Sequence, residues 1–138
     1  MRIFLASRII CHNPLLQLEC NLSKAKQMIC NLNDYCDAIK KTIKEWEKGE
    51  LNQKSLRKIK NAYSQFLLQL LALKQHYEIN SALCISLVKS GKINPARHNG
   101  TAFQKAIGKE GRKLTKFLEM AKKVRKTIRS LSQMQKLI

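Results

Sequence analysis

The sequence predicts an all-α protein: three long antiparallel helices in a coiled-coil-like, up-down-up bundle. Two observations predict it. Three stretches each keep an apolar residue every third or fourth position, and helix-stopping residues separate them. Side chains three and four apart share one face of a helix. A seam held this long is the pattern of rods packed side by side at shallow angles. At 138 residues the chain fits a single domain, 1–138. Each rod can span about 45 Å at 1.5 Å per residue.

The first helix is expected over 14–48. Asn13 caps it and Pro14 takes the first helical position, where its missing N–H costs nothing. Its seam is Leu18, Leu22, Ala25, Ile29, Leu32, Cys36, Ile39, Ile43 and Trp46, and Gly49 ends it. The second helix is expected over 52–90, with Asn52 or Ser55 as cap and Gly91 as stop. Its seam is Leu56, Ile59, Tyr63, Phe66, Leu70, Leu73 and Tyr77, then Asn80, Cys84 and Leu87. Asn80 is either a buried asparagine that fixes how the helices pair or, the preferred reading, a residue at the seam's edge. Lys92 to Gly100 is the main break, with Asn94-Pro95 and Asn99-Gly100 as turn signals. The third helix is expected over 101–136, with a seam of Phe103 and Ile107, then Leu114, Phe117, Ala121, Val124, Ile128 and Leu131. Gly108 and Gly111 inside it each cost about 1 kcal/mol relative to alanine. They mark either a frayed first turn or a close approach by another helix or a partner. Residues 1–12 are a poorly defined segment: apolar, basic and free of acid, unlike a secretory signal.

Charge and residue types narrow the function. The chain holds 27 Lys and Arg against 9 Asp and Glu, a formal charge of +18. The excess is uneven, +12 in residues 89–138 and +6 in 1–88. Such a surface favours anionic partners. Eight cations, Arg112, Lys113, Lys116, Lys122, Lys123, Arg125, Lys126 and Arg129, read as a basic patch that could match phosphates. Phe103 and Phe117, the aromatics near it, lie on the apolar seam, so base stacking finds little support. Five cysteines without C-x-x-C spacing argue against both a disulfide framework and a zinc site, and for a reducing cytoplasm. Cys36 and Cys84 read as small buried apolar residues. His12, His76 and His98 form no metal-ligand spacing, and no cofactor is implied. The carboxylates, Glu110 among them, read as solvated residues on polar faces. With no phosphate loop and no nucleophile motif, the chain is not expected to be an enzyme. No run reaches the ~18 apolar residues of a membrane span.

Two stretches carry a resemblance. One is Leu32-Asn-Asp through Gly49-Glu-Leu-Asn52 to Leu56-Arg-Lys-Ile59, Phe66-Leu67, Leu70 and Leu73-Lys-Gln75. The other is Arg97-His-Asn-Gly100 followed by Phe103, Gly111-Arg112, Leu114 and Leu118. Together they resemble the FlgN family of flagellar export chaperones, over roughly residues 18 to 120. The resemblance implies a cytoplasmic chaperone in bacterial flagellum biogenesis. Its partners would be the hook-associated proteins of the hook–filament junction and the flagellar type III export apparatus. It also implies a partner-binding site on the C-terminal amphipathic helix, which maps onto Asn99, Gly100, Phe103, Ile107, Leu114, Phe117, Leu118 and Ala121. On this reading part of the third seam stays free for a client. The alternatives are a nucleic-acid-binding helical protein using the 112–129 stripe, and a structural coiled-coil adaptor of a secretion machine.

Overall fold

The computed structural model describes residues 13–48 and 53–136. Among these residues are three helices, α1 (Pro14–Glu47), α2 (Gln53–Lys89) and α3 (His98–Lys136). Each starts and stops within three residues of its expected bound. The expectations for residues 1–12, the Gly49 stop and the Asn52 cap lie outside the described residues.

Local chemistry sets the ends. Asn13 Oδ1 accepts from the backbone N–H groups of Leu15 (3.1 Å) and Leu16 (3.3 Å), satisfying donors that the first turn leaves open. Gly91 ends α2 in the left-handed conformation, φ 78°. Lys92 N–H then reaches back to Leu87 O (2.9 Å) and Gly91 N–H to Val88 O (3.1 Å), a Schellman closure. The chain emerges with Ile93 buried beside Leu87.

The break between α2 and α3 is shorter than the sequence suggests. Asn94 Oδ1 accepts from Ala96 N–H (3.0 Å), and Asn94 O accepts from Arg97 N–H (3.0 Å), closing a turn around Pro95. Thr101 N–H already donates to Arg97 O (3.0 Å). Asn99-Gly100 is therefore not a turn but part of the first turn of α3. Gly100 is required there for space: a Cβ would collide with the Asn94 carbonyl and sit 2.8 Å from Pro95 Cα. Because both obstacles are backbone, Gly100→Ala is expected to cost about 1–3 kcal/mol, the range for overpacking. Urea unfolding followed by the fluorescence of Trp46, the sole tryptophan, measures it.

The helices pack up-down-up, with α2 between its neighbours in sequence and α1 and α3 touching each other least. At one end Leu18 of α1 meets Cys84 and Leu87 of α2, with Phe103 and Ile107 of α3 against them. The middle is the largest cluster: Leu32, Cys36 and Ile39; Phe66, Leu70 and Leu73; Leu114, Phe117, Ala121 and Val124. Phe66 and Phe117 meet edge to face, centroids 6.2 Å apart at 75°. At the far end Trp46 closes on Leu56, Ile59 and Leu131. Every one of these buried helix residues lies on a seam. Burial raises the thiol pKa of both Cys36 and Cys84 above the ordinary value, chiefly by desolvation. No described helix is long and apolar enough to cross a membrane.

Candidate partner-binding site

The residues assigned to partner binding divide by depth. Leu114, Phe117 and Ala121 belong to the central core and are at least nine-tenths buried. Gly100 is buried under the α2–α3 connection. Phe103 and Ile107 are half-buried, and Leu118 is exposed. Asn99 falls in the first turn of α3. Of the part of the third seam expected to stay free for a client, Leu114, Phe117 and Ala121 are instead spent on the core. From Leu114 onward α3 spends its apolar face on α1 and α2, because three rods have no other way to close a core. Truncating Phe117 would report bundle stability rather than client contact.

What stays open lies toward the other end. Ser81, Cys84, Ile85 and Val88 of α2 and Ile107 and Gly108 of α3 line a groove of about 480 Å³. Its walls are nearly all carbon. Ile85 is 56 % exposed at its lip, and Ile79 is exposed one and a half turns earlier. Ser81 Oγ is buried in the wall with no hydrogen-bond partner. Gly108 leaves the α3 side of this groove low, and a Cβ there would meet only the end of Arg112. Gly111 serves packing instead: the Tyr77 ring would lie 3.0 Å from its Cβ, so an α2 side chain makes the close approach.

The outward face of α2 carries further exposed apolar residues. Leu67, Leu68, Leu71, Ile79 and Ile85 are all exposed. Between residues 61 and 88 the only charged side chains, histidine aside, are Lys74 and Glu78. In a chain of charge +18, a face so poor in charge stands out.

Two polar residues sit inside the bundle. Asn80 is fully buried, not at the seam's edge, and Glu110 is 2 % exposed, not solvated. They face each other across α2 and α3. Asn80 Nδ2 donates to Glu110 Oε2 (3.2 Å) and lies 3.2 Å from His76 Nδ1; Glu110 Oε1 is 3.7 Å from that same nitrogen. Desolvation pushes the Glu110 carboxyl pKa above its ordinary value, opposed in part by the Asn80 hydrogen bond and by His76. The spacing held the signal. Phe103, Ile107, Glu110, Leu114, Phe117 and Ala121 step by four, three, four, three and four, so Glu110 fills the one gap in the third seam. Asn80 fills the matching break in the second.

The basic patch is on the surface. Arg112, Lys116, Lys122, Lys123, Arg125, Lys126 and Arg129 are exposed and Lys113 is half-buried. Spacing puts six of the eight in two neighbouring rows, Arg112–Lys116–Lys123 and Lys122–Lys126–Arg129, with Lys113 and Arg125 to either side. Among the described residues, none lies in an ion pair with a carboxylate. No group of metal-ligating side chains is found among them either. No family model, curated protein or solved structure matches this chain.

Proposed function

We propose that this chain is a cytoplasmic export chaperone of the FlgN type. It binds hook-associated proteins and delivers them to the flagellar type III export apparatus, without catalysis. The observation that supports the reading is the groove of Cys84, Ile85, Val88 and Ile107, which opens beside the early turns of α3. The resemblance places client contact on this helix. An amphipathic segment laid there buries its apolar stripe at about 25 cal/mol per Å². Ordering a disordered client tail costs free energy, which keeps such a complex moderate in affinity and easily released.

Co-expression with a hook-associated subunit, followed by gel filtration, tests this. A 1:1 complex through the client's terminal region is expected, and failure to co-elute ends the proposal. Ile85→Glu is expected to weaken the complex at least about tenfold, the effect of losing a modest apolar anchor. Since Ile85 is exposed, its own stability should change by no more than about 0.5 kcal/mol. The second reading, nucleic-acid binding, is favoured by the unpaired cations of α3. It requires affinity that falls steeply with salt, with a log–log slope on the order of several units.

A further inference from the structure

A second groove runs between α1 and α3, on the opposite side of α3 from the first. Leu22, Ala25 and Ile29 of α1 and Ala106 of α3 form an apolar floor. Lys105, Lys109 and Lys113 on α3 and Lys26 on α1 line its edges, and the space amounts to about 500 Å³. The groove exists because α1 and α3 each pack chiefly on α2 and meet one another least. Alanines at 25 and 106 keep its floor low.

The lysine spacing is regular. Lys105, Lys109 and Lys113 stand one helical turn apart, so their ammonium groups follow one edge for about 12 Å. The only carboxylate among the lining residues is Glu110, and it does not cancel them. It is 2 % exposed, and its oxygens are held by Asn80 and face His76, both on α2. The groove therefore offers an apolar floor beneath an unopposed row of positive charge.

We propose that this groove is a docking site for an acidic amphipathic helix of a partner protein. Two to three turns of such a helix match the length of the lysine row. Residues at i, i+3 or i+4 and i+7 would settle on Leu22, Ile29 and Ala106, which keep part of their surface open. Glutamates or aspartates flanking that stripe would meet Lys105, Lys109 and Lys113. The recessed floor selects a peptide over a lipid surface: acyl chains need protruding apolar side chains, and here Ala25 lies 2 % exposed below the lysines. The same floor disfavours nucleic acid, whose phosphates make no use of Leu22 or Ile29. The site is independent of the export reading, because it depends on no particular client and lies on other residues.

The full chain is titrated against two fluorescein-labelled helical peptides of 18 or so residues, monitored by anisotropy. They share leucines at i, i+3, i+4 and i+7 and differ only in flanking glutamates or lysines. The glutamate peptide is expected to bind at least about tenfold more tightly. Lys105→Glu with Lys109→Glu should weaken it at least about tenfold. Lys122→Glu with Lys126→Glu, an equal change in net charge elsewhere on α3, should weaken it less than about threefold. Ala106→Leu, which fills the floor without touching charge, should also weaken it. Circular dichroism confirms that each variant stays helical. The proposal is overturned by equal losses in the two charge pairs, or by tight binding that survives both Ala106→Leu and the Lys105/Lys109 pair. It is also overturned if phosphatidylglycerol vesicles, and not the glutamate peptide, are what the Lys105/Lys109 variant ceases to bind.

Discussion

Phe66→Ala is expected to lower the stability of the bundle by about 3–5 kcal/mol, the range for truncating a buried aromatic. The side chain is fully buried in the central cluster, edge-on to Phe117. Two losses add: the transfer free energy of the removed carbons, and the cavity that neighbouring rods cannot close. Leu70, Leu73 and Leu114 cannot close it without dragging their own helices inward. Phe66→Leu should cost far less, because it leaves much of the volume filled. Urea unfolding by Trp46 fluorescence and by circular dichroism measures both. A lowered midpoint with an unchanged slope is the expected form. A loss below about 1 kcal/mol would mean that the middle of the bundle is not packed as described.

Asn80→Leu is the second large effect. It leaves the Glu110 carboxyl buried without its donor, at a cost of about 1–3 kcal/mol and more while the group is charged. Adding Glu110→Leu should recover most of that loss, since two apolar residues facing each other leave nothing unpaired. Glu110→Gln isolates the charge, because the amide oxygen still accepts from Asn80. The Glu110 pKa is raised in the folded state, so its neutral form is the one the fold prefers. The stability this supplies is fully present below the unfolded value and is lost as pH rises through the folded one. The Gln variant should thus be the more stable near neutral pH, and its advantage should shrink as pH falls toward 4.5, the ordinary value. His76 and Asn80 face the carboxyl from α2, while Lys26, Lys109 and Lys113 border the groove on its other side. A His76→Gln background removes the imidazole that faces the carboxyl. A flat difference between the two proteins across this range would refute the assignment.

The seams made the bundle legible in the sequence. Leu18, Leu32, Ile39, Phe66, Leu73, Phe117 and Val124 are all buried where a 3-4 step places them. Helix termini were legible wherever one residue type has one strong use, as with Asn13-Pro14 and Gly91. The start of α3 was misjudged because Gly100 was read for its backbone freedom. Its actual role is to lack a Cβ beside Asn94. Residue type alone puts Glu110 on a polar face, while its position in the third seam points inward. The open groove could not be read at all. Periodicity says which face of α3 is apolar, but only packing decides that Phe117 is consumed by the core while Ile107 is left half open.

The buried Asn80–Glu110 pair also determines which axial alignment of the rods survives. Heptad seams are self-similar, so α3 could in principle slide seven residues along α2 and again set apolar against apolar. The polar pair breaks that degeneracy. Sliding one way carries Glu110 opposite Leu73 and Asn80 opposite Phe103; sliding the other way carries Glu110 opposite Leu87 and Asn80 opposite Phe117. Each slipped state buries the Glu110 carboxyl against hydrocarbon without its Asn80 donor. The seams supply most of the attraction between these helices, and a single layer of polar atoms chooses among the positions that attraction would otherwise allow.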